Sequence, residues 1–282
     1  MRNQKYSRIP KKNKKKLDSS RIEAVAINFI KELLTFLPGP VNQTENCISE
    51  LKPHRPLCIL LTGLSSSERS LRILRRRLMR DGYNVWIQTF LFQDPKRELN
   101  GFEYAAKKLQ KLIFHLKYNR EISPSHVFIL AHSAGGLVGR YYVQVLGGDR
   151  ECQGLITLAT PNQGLWIASL GFFSHLILKA KCLFDILPIS PFMRKLNSTP
   201  FPKSFPMASF SSTNDLLCPV QQSKLPLKIR NSPLVEEMVI EGVPHRGFLY
   251  QQKSYRLIKS WIEKTYPQIK EPSHVEHFKK SS

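Results

Sequence analysis

His126-Val127-Phe128-Ile129-Leu130-Ala131-His132-Ser133-Ala134-Gly135-Gly136-Leu137-Val138-Gly139-Arg140-Tyr141 is the stretch that decides the fold. Val127 to Leu130 are consecutive apolar residues with the length and β-branched content of a buried parallel strand. A tight turn, Ala131 to Gly135, follows at once, and Gly136 to Leu146 is compatible with a helix. A strand, a sharp turn centred on a serine and then a helix make a nucleophile elbow. Such a turn exposes the serine Oγ at a helix N-terminus. It also brings strand and helix backbones close together, so the residues two before and two after the serine must be small. Gly135 meets that need fully, and Ala131 adds one methyl group.

Working outward from the elbow, apolar runs and helical periodicities alternate. Leu57 to Leu61 reads as a buried strand ending at Thr62-Gly63-Leu64. Ser65 and Glu68 form a capping box that starts a helix, with Leu71, Leu74 and Leu78 inward and Arg69, Arg72, Arg76 and Arg80 on another face. That arginine ridge reads either as a solvated face or as a holder of phosphate head groups. Tyr83 to Gln88 is the next strand, and Phe102 to about Tyr118 the next helix. After the elbow, Gly154 to Ala159 and Phe205 to Phe210 read as strands, Val235 to Glu241 as the last strand, and Ser254 to Lys264 as a final helix. The β-α-β-α-β alternation predicts an α/β fold with right-handed crossovers and a mostly parallel central sheet flanked by helices. About 165–204 breaks the alternation with a dense apolar, partly helical insertion (Trp166, Phe172, Phe173, Leu176).

His132-Ser133-Ala134-Gly135-Gly136-Leu137-Val138-Gly139-Arg140-Tyr141 resembles the elbow of α/β-hydrolase lipases and esterases, especially the bacterial triacylglycerol lipase branch with Ala-His-Ser-x-Gly-Gly. The resemblance extends over roughly residues 56–264. It includes Thr160-Pro161-Asn162-Gln163-Gly164, similar to the Thr-Pro-x-x-Gly of lipases, and Ser190 to Asn197, similar to the segment before their acid strand. It implies the α/β-hydrolase fold with a helical cap insertion and a Ser-His-Asp triad. Ser133 would be the nucleophile and Asp215, in Asn214-Asp215-Leu216-Leu217-Cys218-Pro219, the acid. His245, after the last strand and before the final helix, would be the base, which is the chain order of this fold. The oxyanion hole would be the backbone N–H groups of Leu64 and Ala134. Thr62 stands where the family has a histidine that braces this loop, whereas Gly63 is kept. His132 is expected to point away from the reaction and to be structural. The implied activity is carboxylic ester hydrolysis of the 3.1.1 type on lipid-like or acyl substrates, with no cofactor and no metal. Acyltransferase or thioesterase chemistry is the alternative on the same scaffold. A catalytically dead, basic membrane- or polyanion-binding protein is the alternative outside enzymes.

Composition bounds the rest. The 282 residues suit one α/β domain, at about 56–266, with decoration. Residues 1–20 read as a disordered basic tail, 21–40 as an amphipathic helix and 267–282 as a loose tail. Five scattered cysteines without a C-x-x-C pair indicate neither a zinc site nor a disulfide framework, and a reducing, cytoplasmic setting is expected. The formal net charge of +22 favours anionic partners. No nucleic-acid motif accompanies it, so no specific nucleic acid is expected. An apolar helical face beside Lys11 to Lys16 instead suggests peripheral contact with an anionic membrane. No apolar run is long enough to span a bilayer.

Overall fold

A computed structural model describes residues 51–52, 55–64, 66, 68–89, 101–120, 123, 126–166 and 184–266. The readings of a tail at 1–20 and a helix at 21–40, Ser65 of the capping box, part of the insertion (167–183) and the tail at 267–282 lie outside the described residues.

Among the described residues, six strands form one sheet: β1 (Leu57–Leu61), β2 (Asn84–Gln88), β3 (Val127–His132), β4 (Gly154–Leu158), β5 (Met207–Ser212) and β6 (Val235–Ile240). Their order is β2-β1-β3-β4-β5-β6, and every neighbouring pair is parallel. Five longer helices cover it: α1 (Arg72–Arg80), α2 (Phe102–Arg120), α3 (Gly135–Val145), α4 (Pro191–Ser198) and α5 (Gln252–Thr265). The strand at 205–210 begins two residues later than its apolar pattern suggests, because Phe205 and Pro206 precede the ladder.

The period of two along each strand sorts the core into two layers. Leu57, Ile59, Leu61, Ile129 and Ala131 point to the side where α2, α3 and α4 lie. Cys58, Leu60, Phe128, Leu130 and Ile156 point to the side of α1 and α5. Both faces are covered, so β1 and β3 are buried along their whole lengths and read as continuous apolar runs.

The described part of the insertion belongs to this core. Ile186, Phe192, Met193, Leu196 and Phe201 pack in the same cluster as α2 and α3. Ser190 caps α4, its Oγ accepting the Met193 N–H at 3.0 Å, with Pro191 in the first turn. Buried Asp185 accepts the Phe102 N–H at 3.1 Å and so finishes the N-terminus of α2.

One feature of the topology selects the site. From β1 the chain passes to β2 on one side and then returns to β3 on the other. Loops leaving the carboxyl ends of β1 and β3 therefore diverge, at the point where open α/β sheets bind their ligands. Gly63 and Ser133 lie just past those two strand ends.

Candidate active site

Ser133 follows β3 directly and has φ of 54°, in the left-handed region that costs a non-glycine residue roughly 1–2 kcal/mol. Neighbouring elements hold it there. Its N–H donates to Leu158 O at 2.8 Å, and Thr160 Oγ1 donates to its carbonyl at 2.9 Å. Small residues make room as the sequence requires. A Cβ on Gly135 would lie 2.6 Å from Thr62 O, and one on Gly136 would overlap the Thr160 side chain. Ala131, the departure from glycine, is fully buried and lies beneath Gly139 of α3, where a Cβ would sit 3.8 Å from the Ala131 methyl. That is an ordinary van der Waals distance, so the extra methyl fits there without strain; the close approach at Gly139 is to Leu155 Cδ1, at 2.9 Å.

Asp215 and His245 come together from loops thirty residues apart. His245 Nδ1 lies 2.8 Å from Asp215 Oδ2, and both side chains are almost wholly buried. The other carboxylate oxygen, Oδ1, accepts the N–H groups of Leu217 at 3.0 Å and Cys218 at 2.7 Å. The carboxylate is thus fixed at both ends. An ionised carboxylate only accepts, so the imidazole presents Nδ1–H to it and keeps Nε2 as its basic nitrogen.

The oxyanion candidates also fall beside Ser133. A Cβ on Gly63 would lie 2.9 Å from Ser133 Cβ and 3.3 Å from its Oγ, so the turn after β1 runs against the serine. Ala134 immediately precedes α3. Among the described residues, the N–H groups of Leu64 and Ala134 donate to no other group. They are available to a ligand, and the positive end of the α3 dipole supports negative charge there. Gly63→Ala is expected to displace either the loop or the serine and to lower kcat/KM for an ester substrate by about a hundredfold. Far-UV circular dichroism would stay unchanged, and an unaltered kcat/KM would separate this loop from the reaction.

His132 has a larger part than the sequence suggested. It is buried, its Nε2–H donates to the His245 carbonyl at 3.1 Å, and the two rings lie 4.8 Å apart. The residue before the serine therefore holds the backbone of the histidine from the opposite loop. Burial, reinforced by the nearby Arg246 charge, pushes its pKa well below 6.5, so it stays neutral in the folded protein. The unfolded chain takes up a proton at this residue that the folded chain refuses. The resulting stability is full above the ordinary histidine pKa of about 6.5 and is lost as the pH falls below it. Wild-type protein should lose up to about 1.4 kcal/mol per pH unit from this group. His132→Gln keeps an N–H donor without a titrating ring, so urea midpoints followed on acidification should show a shallower decline.

Arg140 is a site-supporting residue that the sequence reading passed over. It is fully buried on α3 and bonds only to neutral oxygens: Gln144 Oε1 at 3.1 Å, Asn162 O and Oδ1 at 3.3 and 3.2 Å, and Asn197 Oδ1 at 3.0 Å. Burial lowers its pKa to about 9. Asn162 in turn donates to Ser209 Oγ at 3.2 Å and Ser223 O at 2.7 Å. This network ties the loop after β4, whose Thr160 grips Ser133, to α3, α4 and β5. The sequence signal was an arginine, four residues before Gln144, inside a helix whose other residues are glycine, aliphatic or tyrosine.

Among the described residues, no group of three or more His, Cys, Asp or Glu side chains is placed to hold a metal ion. Likewise, no described helix is long and apolar enough to cross a membrane.

Residues 52–183 match the family described as "Putative serine esterase (DUF676)". The match contains Ser133 and its elbow and ends before Asp215 and His245. No curated protein matches the sequence. Solved structures are similar in fold. The monoacylglycerol lipase of Paleococcus ferrophilus aligns with a TM-score of 0.56 at 14% identity, covering 76% of this chain and 96% of that one. The lipase BlEst2 of Bacillus licheniformis aligns at 0.58 and 12%, covering 79% and 95%. An α/β-hydrolase enzyme from a lagoon-sediment metagenome aligns at 0.57 and 13%, covering 76% and 93%. At such identities the likeness establishes the fold alone.

Proposed function

From the α/β-hydrolase fold and the match of residues 52–183 to the "Putative serine esterase" family, we propose that the chain hydrolyses carboxylic esters with Ser133 as nucleophile, His245 as base and Asp215 as the orienting acid. The observation that carries the reading is the buried His245–Asp215 pair, 2.8 Å apart, at the same end of the sheet as the elbow serine. Asp215 holds Nδ1–H, so Nε2 is the nitrogen that takes the Ser133 proton as Oγ attacks the carbonyl carbon. The imidazolium formed is stabilised by the carboxylate. Negative charge on the tetrahedral oxygen falls to the Leu64 and Ala134 N–H groups, worth several kcal/mol together at about 3 kcal/mol each. The imidazolium then protonates the departing alcohol, and water repeats the sequence on the acyl-enzyme.

Two exposed apolar side chains on loops that leave the carboxyl ends of the strands, Trp166 after β4 and Leu216 beside the acid, support an acyl or lipid-like substrate. Hydrolysis of p-nitrophenyl esters of increasing chain length, with Ser133→Ala as the control, tests the reading. Activity that rises with acyl length and vanishes in the control supports it. Preference for acetate over longer chains would remove the lipid-like substrate while leaving the hydrolase.

A further inference from the structure

The outward face of α1 and of the turn before it carries charge that the fold does not use. Arg69 lies in the single turn Glu68–Leu71, and Arg72, Ile73, Arg76, Met79 and Arg80 follow on the helix. At 100° per residue these six side chains fall within one arc of about 120°, opposite the buried Leu71, Leu74 and Leu78. All of them are exposed, and Ile73 and Met79 each retain 45% of their surface.

Arg77 points inward and stacks over the Tyr255 ring at 5.6 Å, and Arg80, at the end of this face, touches Asp81 at 3.4 Å. Asp81 is itself occupied by Lys259 and by the Tyr255 hydroxyl, each at 2.8 Å. Arg69, Arg72 and Arg76 make no ion pair among the described residues. They stand three and four positions apart, where like charges repel and weaken a helix. Arg256, exposed on α5 over the same side of the sheet, adds to the field.

We propose that this face docks the protein on an anionic lipid bilayer, with Arg69, Arg72 and Arg76 on the head-group phosphates and Ile73 and Met79 entering the acyl boundary. Charge complementarity selects an anionic partner. The two apolar side chains set between the arginines select a lipid surface over a nucleic acid, whose backbone offers phosphate but no apolar layer to receive them. The turn Glu68–Leu71 and α1 follow β1 and its Gly63-Leu64 turn in the chain, so docking along them would bring the Ser133 end of the sheet toward the lipid surface. The inference rests on the surface of α1 alone and stands or falls separately from the hydrolase reading.

Sedimentation of the full chain with vesicles of phosphatidylcholine, with and without phosphatidylglycerol, tests it. Wild-type protein is expected to bind only the anionic vesicles. The triple variant Arg69→Gln, Arg72→Gln, Arg76→Gln should bind them roughly a hundredfold more weakly, at about fivefold per arginine. Ile73→Ser with Met79→Ser should weaken binding about tenfold. These residues lie outside the catalytic machinery, so unchanged fluorophosphonate labelling and thermal midpoint confirm that the variants are folded. A variant with the five lysines of Lys11 to Lys16 changed to glutamine supplies the competing explanation. If that change abolishes binding while the arginine variant binds as wild type does, the proposal is overturned. Equal loss of vesicle and duplex-DNA binding in the arginine variant, with no effect of the serine changes, would likewise overturn it by showing a sequence-blind polyanion site.

Discussion

Ser133→Ala is expected to lower kcat for ester hydrolysis by on the order of a million-fold and to abolish labelling by a fluorophosphonate probe. The size follows from the division of labour at the site. Without Oγ no acyl-enzyme forms, and His245 and Asp215 have no hydroxyl to activate. What remains is whatever the Leu64 and Ala134 N–H groups and substrate positioning supply, about 10³–10⁴ over the reaction in water. The change should leave the fold intact, because the elbow is held by backbone bonds to Leu158 and Thr160 that alanine retains. A melting temperature within a few degrees of wild type is expected. Persistent labelling of the folded variant would move the nucleophile elsewhere and end the assignment.

The second large effect is expected at Asp215→Asn, through the tautomer of His245. Oδ1 receives the N–H groups of Leu217 and Cys218. An asparagine must keep its carbonyl oxygen there, because its amide hydrogens would face two donors. Its NH₂ group is then forced toward His245 Nδ1, which can meet it only as an acceptor. The ring proton moves to Nε2, the nitrogen that should accept the Ser133 proton, and the base is blocked in its resting state. A fall in kcat of about 10⁴-fold is expected with little change in KM. Raising the pH should not restore activity, since the proton on Nε2 belongs to a neutral ring. A variant within tenfold of wild type would show that Asp215 does not set the tautomer.

The elbow was legible because it is local. A strained left-handed serine between a buried strand and a helix needs Gly135 and Gly136 in one short window, and periodicity supplied the strand and helix around them. The parallel sheet was legible for the same reason: β1 is an unbroken apolar run, and β3 and β4 are apolar apart from His132 and from Gly154 and Thr157. Asp215 and His245 were harder. A turn aspartate and a loop histidine carry no local signature, and their reading leaned on their order along the chain and on a resemblance. Edge strand β6 shows the limit of pattern reading, since Met238 and Val239 are exposed despite their apolar character.

The order of elements, the nucleophile turn and the excess of positive charge belong to the sequence, because each depends on neighbours within a few residues or on composition alone. The rest belongs to the folded molecule. Only the parallel pairing of β1 with β3 puts Gly63 against the Ser133 Oγ, and only the return of the loop after β6 lets His132 hold the His245 carbonyl. Arg140 gives the sharpest contrast. Along the chain it is a helical arginine that solvent would ordinarily claim. In the fold it is sealed among the carbonyl oxygens of Asn162, Asn197 and Gln144, because segments some twenty and sixty residues away close over it. Contacts at that separation depend on topology, and a single stretch of residues carries no record of it.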